Sequence, residues 1–403
     1  MARLSNTAVI ILAGSVVLTL SFGVRSVFGV TLDPISNEFG WPREVFSLSL
    51  ALQNMVWGLG QPLFGWIADR YGDRRALWLG FFVYLAGMVL TIFGTTPLMM
   101  HGGAGVLVGL GISGTAFGLI LSVVGRATSE EKRSQALALT AAFGSLGQMA
   151  LPAISGMLVE AYGWQVTLMI MTLLLLPMAA CIPFLKAQIP ASQTPEELLP
   201  TGVVIRRAFG HSSYVLLTIG FFVCGFHVAF IGAHFPAFVA EVCATPEGPA
   251  TELGAWTLSI VGFANFVGTL IVGQLGAKFP KPYILSSIYF LRAIVIFTFI
   301  SFPFTPTTVI IFSFVMGLLW LTTVPLTSGL VATMFGPRYI GMLYGFVFVS
   351  HQIGSFIGIY LGGRIYDVYG NYDVIWWASI GLGLFSAIVH LPVKDRAWQP
   401  AAA

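Results

Sequence analysis

Long apolar blocks separated by short polar segments dominate the chain. Twelve can be marked, at about 7–31, 45–66, 77–95, 99–124, 135–158, 164–185, 214–239, 253–275, 283–303, 307–334, 341–362 and 374–391. Each is roughly 20 residues long, the length an α-helix needs to cross a ~30 Å hydrocarbon core. The blocks are continuously apolar, whereas strands of a transmembrane barrel alternate lipid-facing and lumen-facing residues. The pattern therefore predicts an all-α membrane protein with twelve transmembrane helices, numbered here span 1 to span 12. The first block is too long for a signal-peptide core and is followed by eleven more, so it is read as a retained helix.

One polar interruption is long. Residues 186–213 hold Pro190, Pro195, Pro200, Glu196, Glu197, Arg206 and Arg207. They divide the chain into an N-terminal six-helix half at 1–185, a linker at 186–213 and a C-terminal six-helix half at 214–403. An internal repeat supports the division. The stretch GMLVEAYG, Gly156 to Gly163 at the end of span 5, recurs 207 residues later as GRIYDVYG, Gly363 to Gly370 at the end of span 11. Between spans 2 and 3, GWIADRYGDRR from Gly65 to Arg75 has a degraded echo from Gly273 to Lys281 at an offset of 208, with Ala277 where the acid Asp69 stands. Two motifs at nearly one offset point to pseudo-repeat halves in parallel orientation.

Composition narrows the class further. The chain is 57% hydrophobic and only 9% charged, against about 25% charged in soluble domains. Soluble enzymes, disordered regulators and nucleic-acid binders are excluded. Fifteen of the 19 Lys and Arg, among them Arg70, Arg74, Arg75, Arg126, Lys278 and Lys394, fall on one side of the spans; Arg43 and Arg364 fall on the other, and Arg25 and Arg292 lie inside spans. By the positive-inside rule both termini and the linker face the cytoplasm. The net charge of +3 then needs no nucleic-acid partner. Cys181, Cys224 and Cys243 suggest neither a disulfide framework nor a metal site, and no cofactor is expected.

The stretch from Gly65 to Arg75 resembles the signature loop of the major facilitator superfamily, whose architecture is twelve helices arranged as six plus six around a cytoplasmic linker. FGVRSVF, Phe22 to Phe28, and the run from Gly341 through His351 and Gln352 to Asp367 resemble the monocarboxylate transporter and oxalate/formate exchanger branch. The resemblance implies the major facilitator fold and alternating access. It further implies secondary active or facilitative transport of a small organic anion, a monocarboxylate first, by symport or antiport. It also puts Arg25 where that branch holds a substrate-binding cation. The branch carries an Asp and an Arg in span 8, where this chain reads from Phe263 through Asn265 to Thr269. No Asp or Glu falls within any span, so proton coupling would turn to His227, His351 or Asp33. The competing reading is an exporter of amphipathic drugs or other small molecules. Against it, the spans offer no acid to attract a cation. No P-loop is present, so gradients must drive transport.

Two sets of residues carry these expectations. For gating, Asp69 is expected to latch one face by pairing with Arg70, Arg74 and Arg75 and with the start of a neighbouring helix, across a turn allowed by Gly72 and a contact at Gly65. The plain alternative is a loop that only sets topology. For substrate, Arg25 could bind a carboxylate bidentately, or else snorkel outward or pair with Asp33. Phe28, Asn54, Gln148, His227, Phe230, Asn265, Trp320, His351 and Gln352 complete the candidate lining; the amides could equally join helices, and the histidines could be core residues. Arg292 is expected to pack by bonding neighbouring carbonyls. The partners expected are one anionic small molecule and the lipid bilayer, with a monomer as the working unit in a bacterial inner membrane.

Overall fold

The computed structural model describes residues 6–41, 43–186, 201–246, 250–336 and 339–397. Residues 187–200 of the expected linker, and the side chain of Asp33, lie outside the described residues. Ten stretches are long and apolar enough to cross a membrane by length and composition. One of them, Glu130–Phe184, turns at Gly163 (φ 79°) and so supplies spans 5 and 6. Span 2 is Arg43–Tyr71, whose buried amides Gln53, Asn54 and Gln61 dilute its apolar character. The others follow the hydropathy pattern closely. Span 1 is Asn6–Ser26 continued by Phe28–Phe39; span 3 is Asp73–Phe93 and span 4 is Pro97–Ala127. Spans 7 to 9 are Ser212–Val242, Thr251–Lys278 and Lys281–Ser301. Spans 10 to 12 are Pro306–Phe335, Ile340–Tyr369 and Asp373–His390. Large apolar side chains such as Phe82 and Ile388 point outward, 59% and 66% exposed, as a lipid-facing surface requires.

Each half repeats one helix crossing. A Cβ placed on Gly147 of span 5 would lie 1.9 Å from the Thr19 carbonyl oxygen of span 1, and one on Gly354 of span 11 would lie 2.0 Å from that of Phe222 on span 7. These glycines are 207 residues apart, the offset of the sequence repeat. Any side chain at either position would push the backbones apart, so both halves depend on small residues at the same place.

Three spans are broken where hydropathy gives no sign. Span 1 breaks at Val27 and then runs on through Pro34. There the hydroxyls of Ser26 and Thr31 donate to the Gly23 and Phe28 carbonyls at 2.7 and 3.2 Å, using acceptors near the break. Span 4 breaks at Ala116, between Val108–Thr115 and Phe117–Ala127, and span 10 between Pro306–Leu318 and Thr323–Phe335. An amide from the neighbouring helix spans each of the latter two. Gln61 of span 2 donates to Ser113 O at 2.7 Å and accepts from Gly118 N at 3.1 Å. Asn265 of span 8 accepts from Leu321 N at 2.9 Å. Backbone groups freed by a break in lipid must be satisfied within the protein, and these side chains do it.

The halves meet along spans 2 and 11 and along spans 5 and 8. On the face carrying Arg70, Arg126 and Lys278, called here the basic face, contact is tight: a Cβ on Gly65 would stand 2.4 Å from the Gly341 backbone, and one on Gly273 would stand 2.3 Å from the Ala138 side chain. Towards mid-span the contacts become polar and aromatic. Gln352 Nε2 donates to Asn54 O at 3.0 Å, Asn265 Nδ2 donates to Ser145 Oγ at 2.6 Å, and the Trp57 and Phe348 rings lie 4.7 Å apart. Among the described residues these half-to-half contacts run from the basic face to mid-span. Beyond the undescribed part of the linker, Thr201–Phe209 forms a short helix that buries Val204 and Ala208 and sets Phe209 edge-on to Tyr214 and Phe346.

Candidate functional site

The most informative group forms where spans 1, 2 and 11 meet. Arg25 sits in the last turn of Asn6–Ser26, where the negative end of the helix dipole favours a cation. Its Nη2 donates to Asn54 Oδ1 at 2.6 Å, and the guanidinium lies 4.9 Å from the centre of the Trp57 ring. These contacts offset part of the ~2.5–3.5 kcal/mol that an intramembrane cation costs. The offset is incomplete, because Arg25 Nε is buried without a hydrogen-bond partner, as is Trp57 Nε1. Asn54 extends the group: its amide also donates to Leu50 O at 2.9 Å, and its own carbonyl receives Gln352. His351 Nδ1 then meets Gln352 Oε1 at 3.2 Å, with its ring stacked 5.1 Å from Phe348. A polar path thus runs Arg25, Asn54, Gln352, His351 from one half into the other.

The remaining candidates are distributed unevenly around this path. Gln148 is half-buried on span 5. It lies between a face that touches span 1 through Gly144, Gly147 and Leu151 and a face that touches span 8 through Ser145 and Met149, so it points between those two helices. Asn265 is fully engaged by Ser145, Leu321 and Thr269 and works as a joint. Trp320 is buried in the span 10 break. Phe28 is buried in the core. His227 lies apart: its Nε2 meets Ser379 O of span 12 at 2.8 Å. Phe230 belongs to an aromatic cluster with His234, Tyr372 and Trp376 near the opposite face.

At the basic face, Asp69 has a partner other than the one its own loop suggested. Arg70, Arg74 and Arg75 are exposed. Arg126, at the end of span 4, places Nη1 3.5 Å from Asp69 Oδ1 and bonds the buried Asp73 through Nη2. Asp69 Oδ1 also lies 3.5 Å from the Cβ position of Gly341 in the first turn of span 11, where a carboxylate meets the positive end of the helix dipole. Gly72 holds φ 98° at the turn into span 3, a conformation that other residues resist. One guanidinium therefore gathers the acids of spans 2 and 3 beside the C-terminal half. Arg126 could not be found locally, since it is 57 residues from Asp69; Gln61 was detectable only as lying 204 residues before Asn265, the separation of the two broken positions Ala116 and Trp320.

With twelve spans, the repeated crossings and this loop in place, the sequence model of the Major Facilitator Superfamily matches residues 14–358 and 246–401. The chain belongs to that superfamily. It is accordingly a transporter and not an enzyme. It is 25% identical over 394 residues to the aspyridones efflux protein of Emericella nidulans, across 94% of this chain and 75% of that protein. It is also 25% identical over 357 residues to monocarboxylate transporter 13 of Bos taurus, across 88% and 81%. The crystal structure of FucP, a transporter of the same superfamily in the outward conformation, matches with a TM-score of 0.73 at 14% identity, over 96% of this chain and 99% of that one.

Proposed function

We propose that this member of the superfamily carries a small organic anion of the monocarboxylate class, with Arg25 as the cation that selects it. The observation that carries the reading is the incomplete satisfaction of Arg25: a buried guanidinium with an unpartnered Nε, in an apolar run, residues 7–31, that holds no Asp or Glu. An anion entering there supplies the missing charge and acceptor, whereas a cation meets like charge. Asn54 holds the guanidinium, Gln352 braces Asn54, and the rings of Trp57 and Phe348 form an apolar wall. The presence of a monocarboxylate transporter among the relatives agrees with this assignment. His227, which bonds span 12, and Phe230, in the aromatic cluster near the opposite face, are left out of the path.

In this reading the basic face is cytoplasmic, both termini lie there, and the half boundary falls within 186–213, in the cell membrane of a bacterium. The contact of Gly65 with Gly341 and the Arg126, Asp69 and Asp73 cluster close the inner side, and alternating access requires them to part and re-form. A monomer holds the whole path.

The test is uptake into vesicles reconstituted with purified protein, comparing radiolabelled monocarboxylates, dicarboxylates and a cationic dye. Saturable monocarboxylate uptake, lost in Arg25→Gln, supports the proposal. Uptake of the dye without carboxylate uptake would instead favour the efflux reading, which the Emericella nidulans relative brings into view.

A further inference from the structure

The C-terminal half carries its own copy of the Gly65 to Arg75 loop, and there the latch is missing. At an offset of 208, Ala277 stands for Asp69, Lys278 for Arg70 and Lys281 for Asp73. Asp73 and Lys281 are the first residues of spans 3 and 9, helices of 21 residues each, so the correspondence holds in the structure as well. No Lys or Arg stands in 330–334, the counterpart of Arg126 at offsets of 204 to 208. Two acids gathered on one guanidinium in the N-terminal half have thus become an alanine and a lysine in the C-terminal half.

In place of a latch there is an open groove of about 690 Å³, between the turn at 276–283 and the segment 391–395 that follows span 12. A cation in the first turn of a helix is unfavourable by itself, and Asp395 offsets it: Oδ2 accepts from Lys281 N at 3.0 Å and from Nζ at 3.2 Å. The same segment is fixed on its other side, where Val393 is buried and Lys394 N donates to Ser213 Oγ at 3.1 Å. Both walls are therefore held in place. Lys278 and Lys394 line the groove and are exposed, and among the described residues neither has an ion-pair partner. Three ammonium groups share one carboxylate, which Lys281 already engages.

The rim has the opposite character. Phe279 and Tyr283, each 58% exposed, and Leu391, 50% exposed, all border the groove. Leu391 continues into the outward-facing Ile388 of span 12. Aromatic rings at the ends of spans sit at the boundary between membrane and water. Unpaired ammonium groups beside apolar surface at that depth suit a molecule that is anionic at one end and apolar at the other. A soluble anion would leave the rim uncovered, and a zwitterionic lipid would bring a cation of its own against the lysines.

We infer that this groove is a binding site for an anionic phospholipid, with the headgroup phosphate on Lys278 and Lys394 and the acyl chains running over Tyr283, Leu391 and Ile388. The site is independent of what the protein transports. Each basic residue near an anionic headgroup contributes ~1 kcal/mol, which is about fivefold in affinity.

Native mass spectrometry of purified protein in a neutral detergent tests this. The protein is titrated with phosphatidylglycerol and, separately, with phosphatidylcholine of the same chains; thermal melts compare phosphatidylglycerol with inorganic phosphate. Phosphatidylglycerol should be retained over phosphatidylcholine, with affinity about fivefold weaker in Lys278→Gln or Lys394→Gln and roughly thirtyfold weaker in the double variant. Both lysines are exposed, so the variants should melt like wild type in lipid-free detergent. Lys132→Gln, at an exposed lysine outside the groove, should leave the affinity unchanged. Equal retention of the two lipids, or wild-type affinity in the double variant, overturns the site. An equal loss in Lys132→Gln overturns it in favour of general surface attraction. Stabilisation by inorganic phosphate as large as that by phosphatidylglycerol overturns the lipid assignment in favour of a soluble anion.

Discussion

Replacing Arg25 with Gln removes the one positive charge of the proposed anion path and leaves a polar side chain of nearly the same reach. In the folded protein, Nη2 is engaged by Asn54 while Nε lacks a partner, so a bound carboxylate forms at least one new charge-assisted bond at Nε. Such a bond contributes about 1.5–3 kcal/mol, which corresponds to roughly a 10- to 150-fold loss of affinity in Arg25→Gln. Arg25→Lys keeps the charge but loses the planar fork and should fall between the two. Folding should not suffer, because Gln avoids the ~2.5–3.5 kcal/mol cost of an intramembrane cation and Asn54 keeps its bond to Leu50. The assay is binding by thermal shift together with uptake in vesicles, using wild type and both variants at equal reconstitution. Anion affinity in a folded Arg25→Gln within threefold of wild type, an order-of-magnitude margin on the same bond energy, would refute the reasoning.

Asp69→Asn should insert and fold but transport slowly, because the carboxylate beside Arg126 and the start of span 11 is neutralised; wild-type turnover in vesicles would contradict the latch. Gly65→Val should keep the halves apart on the basic face, where even a Cβ has no room against Gly341, and cysteine-accessibility labelling of that face should rise. Gln61→Ala and Asn265→Ala should each destabilise the protein by about 1–3 kcal/mol, since each strands a buried N–H at a helix break; thermal melts as stable as wild type would show that water or rearrangement supplies the missing acceptor.

Much of this protein follows from local sequence. Twelve apolar runs of bilayer length, the 207-residue repeat and the Gly65 to Arg75 loop together specify the fold, because hydrophobic length reports which residues sit in lipid regardless of their neighbours. Arg25 stood out for the same reason, as a charge in an apolar run. Partner choice was different. Asp69 next to three arginines in sequence pairs with Arg126 from another helix, and His227 turns to span 12 while His351 turns to Phe221 of span 7 and to its own neighbour Gln352. The breaks in spans 4 and 10, with Gln61 and Asn265 bridging them, leave no trace in hydropathy. Nor does the meeting of Arg292 with Cys224, 68 residues apart. Hydropathy sets the depth of a residue in the membrane but not the rotation of its helix, and rotation is decided by close crossings such as Gly147 on Thr19 and Gly65 on Gly341, which exist only once all the helices are packed.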